Sequence, residues 1–401
     1  MHPAQPVCGK ESFMSYIISP PEETALQAHL QKLRTQLHEA PELSWQEYRT
    51  TRLVRQELEA LCLEPVPLGL PTGTAALLRG ALPGPTVGLR ADLDALPITE
   101  RTGAEFSSRV PGVMHACGHD IHMAALLGAA RLLAARREQL AGNVLFLFQP
   151  AEEAATGAMQ VLEQGLFRRV PVTGMLALHV WPGLAQGQLG IRSGAILSAV
   201  DSFEITVTGR GGHGSAPERA CNPIPAGAAL ASALTTLRAN DLPQAEPAVT
   251  AVTCIQAGTC NNVIPDRCTL LGTISARTRA QAKARLEALT AGFAAAWGCT
   301  AAVGWTDGTP ALCNDAGLAA AMERAAVSVF GKSGCVQIEP QMISEDFACY
   351  GSEVPICCAL LGVGSPVGLH SAAFCPDSSV LLPAARFLAE SAWSVLEDAR
   401  A

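Results

Sequence analysis

Residues 22–62 (EETALQAHLQKLRTQLHEAPELSWQEYRTTRLVRQELEALC) read as two helices broken at Pro41, because proline cannot continue a helix interior. Short β-like runs follow, TAALLRG and TVGLRADLDALP, separated by turns. Apolar residues at i, i+3 and i+4 make HDIHMAALLGAARLLAARREQL a helix. NVLFLFQP is a continuous apolar run stopped by Pro150 and predicts a buried strand. Residues 153–168 read as helix, and GMLALHVW as a second buried strand. Strand and helix in alternation, with strands apolar on both faces, predict a parallel sheet covered on both sides.

The pattern changes near residue 200. DSFEITVTGRGG alternates apolar and polar, as a half-exposed antiparallel strand does. A helix over roughly 223–240 follows two prolines. Strands AVTAVTCIQAG and RCTLLGTISA come next, then a helix in RAQAKARLEALTAGFAAAW. Beyond TPALCND the chain returns to helix, to the buried strand VPICCALLGVG, and to a last helix from Pro383. The economical reading is an α/β domain over 1–199 and 307–401, interrupted by an inserted α+β lid over 200–306.

Composition narrows the picture. At 401 residues the chain exceeds the usual length of one domain. Hydrophobic residues make up 49% and charged residues 16%, which suits a large core and speaks against disorder. A net charge of −8 argues against a nucleic-acid partner, which demands basic patches. Fourteen cysteines are scattered from Cys8 to Cys375 without a C-x-x-C pair, so most read as buried thiols in a reducing cytosol rather than a disulfide framework. The first residues contain no apolar stretch of signal-peptide type, and no run reaches transmembrane length. The expectation is a cytoplasmic protein with no membrane partner.

Unusual polar residues stand within or just after the strand-like runs, in GLRADLDALP, MHACGHD, FLFQPAEE, LALHVW and LLGVGSPVGLHSAAF. In a parallel sheet the loops at the carboxyl ends of the strands face one crevice. Asp92, Asp94, Cys117, His119, Glu152, Glu153, His179 and His370 can therefore converge. Cysteine, histidine and glutamate together suit Zn²⁺, Mn²⁺, Co²⁺ or Ni²⁺ better than Ca²⁺ or Mg²⁺. Three protein ligands complete one catalytic site, so a set of five suggests two ions, and a cysteine sulfur can bridge such a pair. Cys117 and His119 are two apart and share a face in an extended segment. Asp120 is expected to cap the following helix, whose N-terminus would lower the Cys117 pKa. His122 lies inside that helix and is less suited to binding metal, while His115 precedes the turn in a supporting place. The adjacent carboxylates of PAEE, at a helical start, point about 100° apart. One can bind metal while the other moves a proton.

The ordered motifs LHEAPELSWQEYRTT, RADLDALP, MHACGHDIHMAALLGAA, FQPAEE, LHV, GRGGHGSAPE, NNVIPD, SEDFACY and LHSAAF run nearly end to end. On these the chain resembles the aminoacylase and carboxypeptidase superfamily, peptidase family M20, and within it the amidohydrolase branch, subfamily D. That branch includes hippurate hydrolases, indole-3-acetyl-amino-acid hydrolases and N-acyl-amino-acid aminoacylases. The resemblance implies a catalytic domain of zinc-peptidase type, with Cys117, His119, Glu153, His179 and His370 as ligands of a two-metal centre and Cys117 in the bridging position. It implies Glu152 as general base, and Asp94 as the residue that orients a ligand through a hydrogen bond. Asp92 stands where distant relatives carry a ligand histidine. In the inserted lid, His213 matches a histidine that polarises the scissile carbonyl, and Asn262 a substrate-contacting asparagine. One departure concerns substrate recognition: Ser275 stands where the family commonly has an arginine. Arg277, with the same face parity on a strand, either takes over its role or leaves carboxylate recognition altered.

The reaction this implies is hydrolysis of the amide of an N-acyl or N-aroyl amino acid, or of a short peptide, by a metal-activated water with Glu152 as base. The metals expected are two divalent ions, Mn²⁺ or Zn²⁺ before Co²⁺ or Ni²⁺. A homodimer through the lid is the family's usual assembly. One rival is a cysteine hydrolase with Cys117 as nucleophile. The other is a metal-dependent binding protein, which would have no need of the second acidic residue in AEE.

Overall fold

The computed structural model describes residues 19–237, 248–276 and 279–400. Its contacts divide the chain into two compact units, one of Met1–Ser193, Asn314–Ile338 and Tyr350–Ala401, the other of Gly194–Cys313 and Glu339–Cys349.

The first unit is built on an eight-stranded sheet. Its spatial order is Glu64–Val66, Thr74–Arg79, Ala141–Gln149, Leu82–Asp92, Met175–Trp181, Ile356–Gly362, Leu189–Gly190 and Cys335–Val336. The four central strands, from Ala141–Gln149 to Ile356–Gly362, run parallel. Thr74–Arg79 and Leu189–Gly190 flank them antiparallel. Ile356–Gly362 is buried at every position, and the Val87–Asp92 half of Leu82–Asp92 likewise, as strands covered on both faces must be. Helices Pro20–His38, His119–Ala134 and Leu381–Asp398 pack closely enough that a methyl group at Gly128 would meet Ala385 Cβ at 2.7 Å and Leu30 Cδ1 at 3.0 Å. Pro41 lies between helices Pro20–His38 and Tyr48–Ala60, as the sequence predicts.

The region 153–168 differs from expectation. Helix begins only at Gly157–Glu163 and, after Gly165 with φ +70°, resumes as Leu166–Arg169. Glu152 and Glu153 stand in the turn before it.

The second unit has a four-stranded antiparallel sheet in the order Ala248–Ala257, Arg267–Ala276, Ala199–Thr208 and Thr300–Thr306. Along Ala199–Thr208 burial alternates residue by residue. The inward positions Phe203, Ile205 and Val207 join Leu230 of helix Pro223–Leu234 and Leu286 of helix Arg279–Ala296 in a separate core. Asn222 caps the first of these helices by accepting the Ile224 N–H at 3.1 Å. The helix expected over 223–240 is described as far as Leu234, and 238–240 lie outside the described residues. Thr300–Thr306 was not legible, since TAAVGWT is alanine-rich and holds a glycine. The unit is also wider than 200–306. Gln341 N–H donates to Ile196 O and Ser198 N–H to Gln341 O, which ties 339–349 to 194–198 through main-chain bonds that leave no side-chain pattern. Among the described residues no helix is long and apolar enough to cross a membrane.

Candidate metal centre

Four parallel strands deliver their carboxyl ends to one region of the first unit. Asp92 closes Leu82–Asp92, and Asp94 follows two residues on. Ala141–Gln149 leads through Pro150 to Glu152 and Glu153. His179 sits near the end of Met175–Trp181, and the chain beyond Ile356–Gly362 reaches His370. Cys117 and His119 come from the turn that opens helix His119–Ala134. Gly118 between them has φ +84°, and a side chain there would run into Val180 Cγ2 at 2.6 Å.

The donors fall into two triads that share Cys117. Cys117, His119 and His179 form one, and Cys117, Glu153 and His370 the other, with the donor atoms of each within 4.8 Å of one another. His119, Glu152 and Glu153 form a further group of this kind. Cys117 Sγ lies 3.5 Å from His179 Nε2. Glu153 Oε1 lies 3.4 Å from His370 Nε2 and 3.9 Å from His119 Nε2. His119 Nε2 and Glu153 Oε1 are buried and make no hydrogen bond. Buried polar atoms are normally paired, so two orphans facing each other in a mixed sulfur, nitrogen and oxygen donor set fit divalent cations. The five residues fit two such ions.

Other side chains fix these donors. His119 Nδ1 donates to the main-chain carbonyl of Asp94 at 2.8 Å, which aims Nε2 away from it. The Asp94 carboxylate accepts the main-chain N–H of Glu152 at 3.0 Å, that of Glu153 at 2.9 Å, and the Ser44 hydroxyl at 2.6 Å. Burial raises the Asp94 pKa, but His119, Ser44 and the Glu153 N–H outweigh it and hold the carboxyl below its usual value. Glu47 works on the next residue. It accepts the Ala151 N–H at 2.9 Å and the Thr72 hydroxyl at 2.7 Å. Ala151 has φ +53°, an unfavourable region for alanine that this bond helps to hold. Sequence reasoning assigned no role to Ser44 or Glu47. Ser44 stands between Leu43 and Trp45, and Glu47 follows Gln46, but nothing local ties either to a turn about a hundred residues away.

Several expectations are corrected. Asp120 does not cap its helix. Its carboxylate takes Arg34 Nε at 3.0 Å and His38 Nδ1 at 2.9 Å, all three residues being buried. His115 supports no ligand, for neither ring nitrogen makes a hydrogen bond. Burial lowers its pKa to about 4. His122 has both nitrogens engaged: Nε2 accepts the Val180 N–H at 2.9 Å, so Nδ1 carries the proton and donates to Asp92 at 2.7 Å. Asp92 also accepts from Arg90 at 2.7 Å. The pair at 152 and 153 stands in a turn rather than in the first turn of a helix, with carboxylate oxygens within 4.8 Å of each other. The Cys117 thiol is raised, not lowered, because burial outweighs His119. A buried thiol that keeps its proton does not suit the cysteine-nucleophile rival.

The second unit brings His213 and Asn262 together. Residues 212–213 pair with 263–264, and the Gly214 N–H donates to Asn262 O at 2.8 Å. His213 Nδ1 accepts the Ser215 N–H at 3.2 Å, which leaves Nε2 as the N–H donor of an exposed ring. Ser275 is half-buried in its strand opposite Val200 and Val249. Arg277 lies outside the described residues.

Residues 88–394 match the family model of peptidase family M20/M25/M40. The N-acetylcysteine deacetylase of Bacillus subtilis is 37% identical over 94% of this chain and 99% of its own length. Thermostable carboxypeptidase 1 of Saccharolobus solfataricus is 36% identical over 87% of this chain and 91% of its own. The crystal structure of a dinuclear metal-binding M20 peptidase from Bacillus subtilis superposes with a TM-score of 0.83 at 36% identity, covering 93% of this chain and 99% of that one.

Proposed function

Because the chain belongs to peptidase family M20/M25/M40, we propose that it hydrolyses N-acyl amino acids at two divalent ions held by Cys117, His119, Glu153, His179 and His370. As a member of that family it is a metal-dependent hydrolase of carbon–nitrogen bonds. The observation that carries the assignment is the sharing of Cys117 between two donor triads, with Glu152 beside one of them. Bound there, the ions would supply the Lewis acidity that acidifies water and polarises an amide carbonyl. Mn²⁺ or Zn²⁺ is the metal of this reading, with Co²⁺ and Ni²⁺ compatible with the same donors.

Glu152 takes the proton of the attacking water and returns it to the leaving amine nitrogen. Asp94 holds the main-chain N–H of Glu152. We assign His213 the donation of Nε2–H to the carbonyl oxygen as negative charge develops there, and Asn262 a substrate contact. Arg277 is assigned the substrate carboxylate in place of Ser275. N-acetyl amino acids are the first substrates to try, given the similarity to a deacetylase over 99% of its length. Benzoyl- and indoleacetyl-amino acids, then short peptides, follow. The reading includes a cytoplasmic setting and a homodimer through the second unit, with no nucleic-acid or membrane partner.

Glu152→Gln decides the base. It should cut turnover by about 10²–10⁴-fold, the span of general-base catalysis, with metal content unchanged. Near-normal turnover would remove Glu152 from that role. Chelation should abolish activity, with recovery on adding Mn²⁺, Zn²⁺ or Co²⁺. Iodoacetamide should leave the metal-loaded enzyme active.

A further inference from the structure

Two thiols of the second unit lie against each other. Cys221 Sγ and Cys299 Sγ are 3.3 Å apart, and both cysteines are free. A disulfide needs about 2.05 Å, so closing the gap requires a movement of little more than ~1 Å. The backbone on each side is already fixed. Cys221 exchanges both main-chain hydrogen bonds with Arg210, at 2.7 and 2.8 Å, and directly precedes Asn222, the cap of helix Pro223–Leu234. Cys299 follows the end of helix Arg279–Ala296, where its N–H donates to Ala294 O at 2.9 Å and Gly298 turns with φ +68°. The Cys221 thiol lies 3.1 Å from Gly298 O. The two sulfurs therefore stand at the start of one helix and the end of its neighbour, both of which contribute to one core.

We propose that Cys221 and Cys299 are a dithiol–disulfide site, closed by exchange with a small-molecule disulfide. Cys221 is the more exposed of the two and reacts first. Its thiolate attacks one sulfur of the small disulfide, forming a mixed disulfide and releasing one small thiolate. Cys299 gives up its proton and attacks the Cys221 sulfur, forming the cross-link and releasing the second small thiolate. The two protein thiols are oxidised, the small disulfide is reduced to two thiols, and the two cysteine protons pass to them. Burial and Cys221 push the Cys299 thiol up to about 11, which makes this second step the slower one. The bond closes a loop across 78 residues, a long constraint on the unfolded chain. It also ties down Arg210 and, three residues on, the His213 strand.

The test uses the full metal-loaded chain incubated with oxidised glutathione, blocked with N-ethylmaleimide and digested with trypsin and chymotrypsin. Cleavage after Arg219, Arg238, Trp297 and Trp305 separates each of these cysteines from the other twelve. The expected product is a Cys221–Cys299 cross-linked peptide, with a rise in Tm of several degrees that dithiothreitol reverses. Cys221→Ser and Cys299→Ser should each abolish that rise. Mapping the unmodified chain keeps the test valid even if a variant folds poorly. Recovery of Cys221 as its glutathione adduct without the cross-link, or of both residues as maleimide adducts, would overturn the proposal.

Discussion

Asp94→Asn tests the most heavily used side chain of the centre with almost no change in volume. The carboxylate accepts three hydrogen bonds, from Glu152 N–H, Glu153 N–H and the Ser44 hydroxyl. Asparagine offers one oxygen. With that oxygen kept by Glu152, the new NH₂ faces Glu153 N–H and Ser44. The hydroxyl can turn and accept, whereas the Glu153 amide has nothing to give but its proton. One hydrogen bond to a charged acceptor is lost, worth about 1.5–3 kcal/mol, and its donor stays buried. The main-chain carbonyl of Asp94 that holds His119 Nδ1 is kept, while the carboxylate that helps to raise the His119 pKa is lost. Expressed in the transition state, about 1.5–3 kcal/mol is a loss of roughly 10–150-fold in kcat/KM. The assay is kcat/KM on an N-acetyl amino acid with metal content measured in the same preparation. Ser44→Ala removes a neutral donor only, about 1 kcal/mol, and should cost roughly fivefold. Wild-type kcat/KM in Asp94→Asn, or a larger loss in Ser44→Ala, would refute the reasoning.

Metal loading should release protons. Proximity to Cys117 and Glu153 pushes His370 up to about 10. Burial pulls His119 down, but Asp92, Cys117 and Asp94 outweigh it and hold it well above its usual value. Burial raises Cys117. All three therefore hold protons at neutral pH that incoming ions must displace, so calorimetry in buffers of different ionisation enthalpy should find affinity falling as pH falls. A pH-independent affinity without proton release would contradict this. His115 gives a stability prediction of opposite origin. Unfolded it takes a proton near its ordinary value of about 6.5, folded only at about 4, so stability is lost as pH falls between them. The loss between pH 7 and pH 5 is about 2 kcal/mol. His115→Leu should remove that part of the pH dependence of urea unfolding, and an unchanged dependence would show that His115 takes its proton in the folded state as well.

The parallel strands were legible because burial on both faces leaves an uninterrupted apolar run, and NVLFLFQP and VPICCALLGVG advertise themselves. Glu152, Glu153 and His370 were legible because they follow such a run, and His179 because it stands inside one near its end. What sequence could not show was where buried side chains turn. Asp120 follows a ligand at a helix start, where capping is the local expectation, yet Arg34 and His38 reach it from 86 and 82 residues away. His122 was read as less suited to metal from its place in the helix, but the Val180 N–H that occupies its second nitrogen comes from 58 residues away. Residues 153–156, read as the start of a helix over 153–168, belong to the turn that precedes Gly157–Glu163. Ala151 and Ala155 instead adopt φ of +53°, with a Glu47 bond to the Ala151 N–H. Long-range hydrogen bonds overrode local propensity in each case.

These long-range bonds also explain why the donor set is incomplete in a particular way. Asp92 is closed by Arg90 and His122, Asp120 by Arg34 and His38, Glu47 by Ala151 and Thr72, and Asp94 by three donors. Each buried carboxylate of the frame is thus satisfied by protein. His119 Nε2 and Glu153 Oε1 are not, and they face each other at 3.9 Å. Burying a carboxylate oxygen unpaired costs several kcal/mol unless positive charge stands nearby. In the metal-free protein protons supply positive charge there: Cys117 and Glu153 raise His370, and Asp92, Cys117 and Asp94 raise His119. Divalent ions and these protons therefore compete for the same electrostatic role. The frame does not depend on which of them wins, since none of its closing bonds uses His370, Glu153 Oε1 or His119 Nε2. Chelation should then cost activity without unfolding the first unit, whereas Arg34→Met, which leaves Asp120 buried with a lost partner, should cost stability of about 3–5 kcal/mol. Loss of the folded baseline on chelation alone would mean that the ions, and not Asp94, Asp120 and Glu47, hold the site in shape.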